Sequence, residues 1–188
     1  FLGAEVEDVV RGNGMYVRAE GAVTGVTQFL EQDGHVRVVA TAAAVIVGDY
    51  GKGVISQKLL NELKPLCRER GVWLSLDPKP VHHLNLAGLS LITPNRKEAF
   101  ELANLNDTTR NENPLADENL LRAAECLLNE LRPAVLLITL GELGMLLCQR
   151  GLKPVHIPTV AQEVFDVSGA GDTVIATFSL SIAAGASP

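Results

Sequence analysis

The stretch AAVIVGDYGKGVISQKLLNELKPLCRERGVWLSLDPKP, residues 43–80, decides the fold. Its first part, AAVIVGDY at 43–50, is a continuous apolar run closing in a polar turn, the pattern of a buried strand. Ser56 stands where a helix cap belongs. Leu59, Leu60, Leu63, Leu66 and Cys67 then recur at helical spacing, and basic residues precede a stop at Gly71. VWLSL, 72–76, reads as the next buried strand, closed by DPKP. Strand, helix and strand in this order predict a parallel sheet with a crossover helix.

The same alternation continues downstream. LSLI at 89–92 reads as a strand broken by Pro94, after which Asn95 can cap a helix running to about Leu105. NDTTRNENPLADE is a polar loop, and DENLLRAAECLLNEL at 117–131 is strongly amphipathic. AVLLIT at 134–139 is a fourth buried strand, MLLCQ and VHIP read as a hairpin, and a last helix runs from Gly169 to about Ala184. The prediction is an α/β fold with a mostly parallel sheet over residues 43–188. Residues 1–42 are different: alternating, β-rich and poor in core, they read as a small sheet or lid beside the main domain.

Composition narrows the function. A chain of 188 residues with 47% hydrophobic and 20% charged content suits one soluble globular domain of ordinary core size. With a formal net charge of −6 and scattered basic residues, no nucleic-acid or membrane footprint is present, so phosphates must be held by local devices. The apolar runs AAAVIV and AVLLITL are too short to span a bilayer. Cys67, Cys126 and Cys148 are isolated in apolar contexts, which reads as small buried residues in a reducing, cytoplasmic setting and excludes a structural zinc. His82, His83 and His156 read as surface or structural.

Every polar cluster of interest follows a strand, and in open α/β sheets ligands gather at the carboxyl ends of strands. In DVSGAGDT, 166–173, Gly169, Ala170 and Gly171 allow backbone N–H groups to face an anion at a helix start. Asp172 would fall in the first turn, where the helix dipole favours its ionised form. A carboxylate beside an anion hole makes sense if it accepts a proton from a hydroxyl while the amides hold the phosphoryl group under attack. A tight turn with an acidic cap fits the spacing equally well, and Ser168 could supply an ordinary cap.

The other clusters carry the same ambiguity. Asn95 and Glu98 in TPNRKE share a helix face and could order a hydrated Mg²⁺, or form a capping box. Thr139, Gly141 and Gly144 in TLGELG could touch a nucleotide phosphate, or simply turn the chain into MLLCQ. Asp49 and Asp77 could bond sugar hydroxyls while Lys52 and Lys79 pair with phosphates, or all four could serve turn chemistry. No GxxxxGK phosphate loop and no GxGxxG fingerprint occurs.

In this order the motifs resemble the ribokinase-like (PfkB) carbohydrate kinases. The resemblance implies a doubly wound sheet with a small β lid, and DVSGAGDT matches the C-terminal signature, with Asp172 as catalytic base and the anion hole at Gly169, Ala170 and Gly171. Asn95 and Glu98 match the N-x-x-E motif linked to Mg²⁺ and phosphate handling, and Thr139, Gly141 and Gly144 match the nucleotide loop. Across residues 43–188, DYGKG, DPK, LITPNRKEA and HIPTVAQEVFDVSGAGDTVIATFSLSIAAG are similar to the D-glycero-D-manno-heptose-7-phosphate kinase domain of lipopolysaccharide-precursor synthesis. That implies ATP and Mg²⁺ as cofactors and a sugar phosphate as substrate, phosphorylated at the anomeric hydroxyl. Alternatives are a kinase for a fructose phosphate or ribose-type sugar, or a catalytically silent nucleotide- or sugar-binding protein on the same fold. A homodimer through the β lid is a further expectation. The family's N-terminal glycine-pair sugar motif is not recognisable, and the chain stops at Pro188 before the family's last helices, so the fold is expected to be incomplete at both ends.

Overall fold

A computed structural model describes residues 43–49, 55–80, 83–159 and 169–188, and before them the backbone of four short strands. These are β1 (Val6–Asp8), β2 (Val17–Ala19), β3 (Thr27–Gln28) and β4 (Arg37–Val38). They pair as two antiparallel two-strand sheets and do not join the main sheet. Expectations that depend on other residues before Ala43 lie outside the described residues.

The main sheet has six strands: β5 (Ala44–Gly48), β6 (Trp73–Asp77), β7 (Leu91–Ile92), β8 (Val135–Thr139), β9 (Met145–Cys148) and β10 (Val155–Ile157). Their spatial order is β10-β9-β8-β7-β6-β5, with β5 to β8 mutually parallel and β8-β9 and β9-β10 antiparallel. The four parallel strands advance in sequence order, so right-handed crossovers must all lie on one face. They do. Helices α1 (Gln57–Glu69), α2 (Arg96–Leu102) and α3 (Glu118–Glu130) share a core with Val45, Val47, Leu74, Leu76, Ile92, Leu136 and Ile138. The opposite face is left for α4 (Ala170–Ala183), which packs on Leu91, Val135 and Leu137 through Ile175 and on β5 and β6. Helices on both faces of a mostly parallel sheet make this the doubly wound α/β fold.

Local chemistry sets the helix ends. The Ser56 hydroxyl accepts from Leu59 N–H at 3.2 Å, and Asp117 caps α3 by accepting from Leu120 N–H at 3.1 Å. Helix α2 is shorter than its sequence promised, ending at Leu102 rather than near Leu105. Asn104 adopts φ 51° there. Leu105 N–H then turns back to Phe100 O at 3.0 Å and Asn104 N–H to Glu101 O at 3.1 Å, a double closure that stops the helix. Cys67 and Cys148 are buried as expected, whereas Cys126 is only half-buried and lies 3.3 Å from Glu130 Oε1.

Seating of α4 is sparse. Only Ile175 and Ser179 are buried, with Val174 and Phe178 partly so, the latter stacked on Trp73 at a 6.4 Å centroid distance. Ser179 Oγ lies 2.6 Å from Ser75 Oγ on β6, and both residues are at most 1% exposed.

Candidate active site

Strand alternation decides what reaches the carboxyl edge of the sheet. Ile46, Ser75, Leu91 and Val135 form one rung on the α4 face. Two residues further along β5 and β6 the paired positions are Gly48 and Asp77, and Thr93 N–H continues the ladder to Leu76 O at 3.2 Å. Thr139, at the end of β8, bridges Asn95 in parallel register, its N–H donating to Pro94 O at 3.0 Å. Asp49, Asp77, Thr93, Asn95 and Thr139 therefore arrive at one edge from four strands.

The Lys79 ammonium sits there between two carboxylates. Lys79 Nζ donates to Glu98 Oε1 at 2.5 Å and lies 3.8 Å from Asp77 Oδ2. Burial pushes the Asp77 carboxyl up to about 6; Lys79 opposes this, while the charges of Glu98, Asp172 and Asp49 add to it. That mutual influence places Asp172, from the first turn of α4, in the same electrostatic neighbourhood as three groups from the sheet's edge. Burial works against the Lys79 charge, but its hydrogen bond to Glu98 and the carboxylates of Asp77, Glu98 and Asp49 outweigh it and raise its pKa. Sequence reading offered Lys79 as a phosphate ligand; in the structure it is the counter-ion of this carboxylate group.

TPNRKE closes on itself at the start of α2. Glu98 N–H donates to Asn95 Oδ1 at 3.0 Å and Asn95 N–H to Glu98 Oε2 at 2.9 Å, a complete capping box. The cap also holds Glu98 beside Lys79 at the sheet's edge. Arg96, between them, donates to Asp107 through Nε and Nη2 at 2.8 and 2.7 Å, and its Nη2 lies 2.9 Å from Asp117 Oδ2. It ties the start of α2 to the loop before α3.

Two glycine turns complete the edge. Leu140 N–H donates to Gly144 O at 2.8 Å across a short 3₁₀ turn, Gly141–Leu143, and His156 Nε2 lies 2.6 Å from Leu143 O. Gly144 has φ 86°, and a Cβ there would lie 2.1 Å from Ile157 O. Packing against β10 imposes that glycine. Gly169 begins α4 at φ 77° with no side-chain cap, and among the described residues beyond its chain neighbours and the helix's own backbone no atom stands within 4 Å of where a Cβ would lie at Gly169 or Gly171. The expected Ser168 cap, like Lys52 and His82, lies outside the described residues.

Sequence reasoning passed over Thr93, which is 3% exposed with Oγ1 lacking a hydrogen-bond partner among the described residues. The alternation of Leu91 with Thr93 was the available signal. It also had no means to pair Lys79 with Glu98 across 19 positions. An apolar groove of about 370 Å³ runs along the far flank of α4, lined by Leu137, Met145, Ile157, Val174, Phe178 and Ile182 among others. No charged side chain lines it, which sets it apart from the polar edge.

The model of the pfkB family carbohydrate kinases matches residues 19–188. The chain belongs to this family. The matched segment takes in the Asn95–Glu98 box, the turn after β8 and the glycine start of α4. Among curated relatives, the bifunctional protein HldE of Desulfatibacillum aliphaticivorans is 43% identical over 144 residues, 76% of this chain and 28% of its own length. HldE of Caulobacter sp. is 38% identical over 184 residues, 95% of this chain and 36% of its own. The chain thus spans about a third of these relatives. Arabidopsis thaliana ribokinase, solved with ribose and ATP, superposes with a TM-score of 0.63 at 25% identity, covering 79% of this chain and 45% of that one. Phosphofructokinase-2 of Escherichia coli shares the fold, with a TM-score of 0.62 at 20% identity. Among the described residues of this PfkB chain, no helix is long and apolar enough to cross a membrane.

Proposed function

We propose that this chain forms the core of a cytoplasmic, ATP-dependent sugar kinase that phosphorylates the anomeric hydroxyl of D-glycero-D-manno-heptose 7-phosphate. One observation carries the reaction class: Asp172 stands in the first turn of α4, beside glycines that no described residue outside the turn crowds, at the edge where Asp77, Glu98 and Asp49 converge. The choice of heptose phosphate rests on the HldE relatives, of which this chain covers a part.

The chemistry follows from this placement. Asp172 accepts the proton as the sugar hydroxyl oxygen forms its bond to the γ-phosphorus of ATP, and the bond to the bridging oxygen of ADP breaks. Backbone N–H groups of Gly169, Ala170 and Gly171 face the phosphoryl oxygens, where the helix dipole and unpaired amides favour negative charge. Thr139, at the end of β8, and Gly141 just beyond it flank the nucleotide phosphates, and Asp49 and Asp77 face the sugar side.

Mg²⁺ fits this donor set in one way. No three His, Cys, Asp or Glu side chains among the described residues form a metal cage. Mg²⁺ keeps several waters and takes oxygen ligands from substrate phosphates, so Glu98, ordered by Asn95, would reach it through water. When bound it supplies charge neutralisation to the phosphates. With Glu98 engaged by the hydrated ion, Lys79 would be free to pair with a phosphate oxygen.

The test is ADP release by the full-length protein with Mg·ATP and a panel of heptose 7-phosphate, fructose 6-phosphate and ribose. Selective turnover of heptose 7-phosphate is expected. Turnover of another sugar alone would remove the heptose assignment, and binding of ATP without turnover would favour a silent binding protein.

A further inference from the structure

The buried serine pair Ser75–Ser179 has no place in the chemistry above, yet it joins the two elements that carry the site. Ser75 lies two residues before Asp77 on the same face of β6. Ser179 lies seven residues after Asp172 on α4. Two helical turns separate Ser179 from Asp172, roughly 10 Å along the axis. Asp77, two residues beyond Ser75, is roughly 7 Å further along its strand. Helix and strand thus run in opposite directions from the serine pair, and both lead to the carboxyl edge.

Among the described residues, α4 packs along β5 and β6 mainly through apolar side chains, with Phe178 stacked on Trp73. Ile175 is its only buried apolar side chain, against Leu91, Val135 and Leu137. Apolar contacts are non-directional and tolerate sliding, whereas a buried hydroxyl pair at 2.6 Å has one good geometry. At most 1% exposed, neither hydroxyl can take a water partner in exchange.

We propose that Ser75 and Ser179 are positioning residues: their hydrogen bond sets the axial position of α4 on β6 and thereby the placement of Asp172. The inference rests on the kinase reading for its kinetic part. A misplacement of about 1 Å at a reacting group costs on the order of 10²-fold in rate, so even partial slippage is visible in kcat.

Three variants of the full-length protein separate this role from plain stability: Ser75→Ala, Ser179→Ala and the double variant. Each single change strands one buried hydroxyl and should lower Tm, and removing both should restore most of that loss. If the pair positions Asp172, kcat stays down by about 10-fold or more in all three, the double variant included, while KM for ATP changes less than about 3-fold. Recovery of kcat in the double variant to within two-fold of wild type, in step with Tm, would overturn the proposal. Hydrogen exchange of the α4 amides gives a readout without catalysis. The proposal expects exchange at least about 10-fold faster in Ser179→Ala and in the double variant, with amides of α3 unchanged. Unchanged α4 exchange rejects it whatever the activity. Wild-type protein without turnover on any sugar would reject the kinase reading alone and leave the exchange result to decide the serine pair.

Discussion

The turn at Gly141–Gly144 and the turn at Gly169–Gly171 look alike as sequence, each a pair of glycines beside a short polar element at the edge of the sheet. Their surroundings differ completely. At Gly144 the backbone of β10 fills the space a side chain would need, with Ile157 O 2.1 Å from a hypothetical Cβ. At Gly169 and Gly171 nothing among the described residues outside the helix start itself stands within 4 Å. A glycine required by packing is explained inside the protein. Gly169, at φ 77°, is explained by its left-handed backbone, whereas Gly171, in a helix start that alanine would favour and with no described atom beside it, points to something that approaches the backbone from outside.

The comparison can be broken at several points. The largest effect should come from Asp172→Asn, which keeps the shape of the first turn but removes the base: kcat is expected to fall at least about 10²-fold with Tm unchanged or higher. Near-full turnover by that variant would detach the open turn from catalysis. Gly144→Ala comes next and acts through the fold. Strain at φ 86° and the collision with β10 should cost about 3 kcal/mol or more in chemical denaturation, and activity should fall with it. Gly171→Ala should do the reverse, raising stability by about 0.5–1 kcal/mol through better helix propensity, while kcat/KM for ATP drops about 10-fold as a methyl group enters the proposed cradle. If both glycine variants lose stability and activity together, the distinction between the turns fails.

The smallest effect concerns Asp77. Its folded-state pKa of about 6 lies above its ordinary value of 3.8, chiefly through burial. A raised pKa means that this group's stabilising contribution is complete below its unfolded value and is lost as pH rises through about 6. Asp77→Asn should therefore melt higher than wild type above pH 6, with the gap narrowing toward pH 4. A Tm difference independent of pH would show that Asp77 is not held among like charges.

Much of the architecture was readable because buried strands announce themselves. VLLI and AVIV are continuous apolar runs, as strands covered on both faces tend to be. The end of α2 was not readable, since the double closure at Asn104 depends on one residue taking a left-handed conformation. At the site, residues within one motif were read together correctly: Asn95 and Glu98 do bond each other. Relations between motifs were out of reach. Nothing in DPKP or TPNRKE says that Lys79 will choose Glu98, because that choice is made by the register of β6 against β7. Ser75 and Ser179 are further apart still, and as small polar residues in apolar runs they carried no signal.

That last separation has a kinetic side. The serine pair joins positions 104 apart, and α4 docks on β5 and β6, the first strands of the main sheet. Contacts between distant parts of a chain are slow to form because the intervening loop must close first. On a ribosome, the strands that hold Asp49 and Asp77 emerge well before the helix that brings Asp172. On the kinase reading proposed above, activity waits on contacts that are among the most non-local in the described fold, and a half-folded chain lacks its proposed proton acceptor until the sheet is covered on both sides.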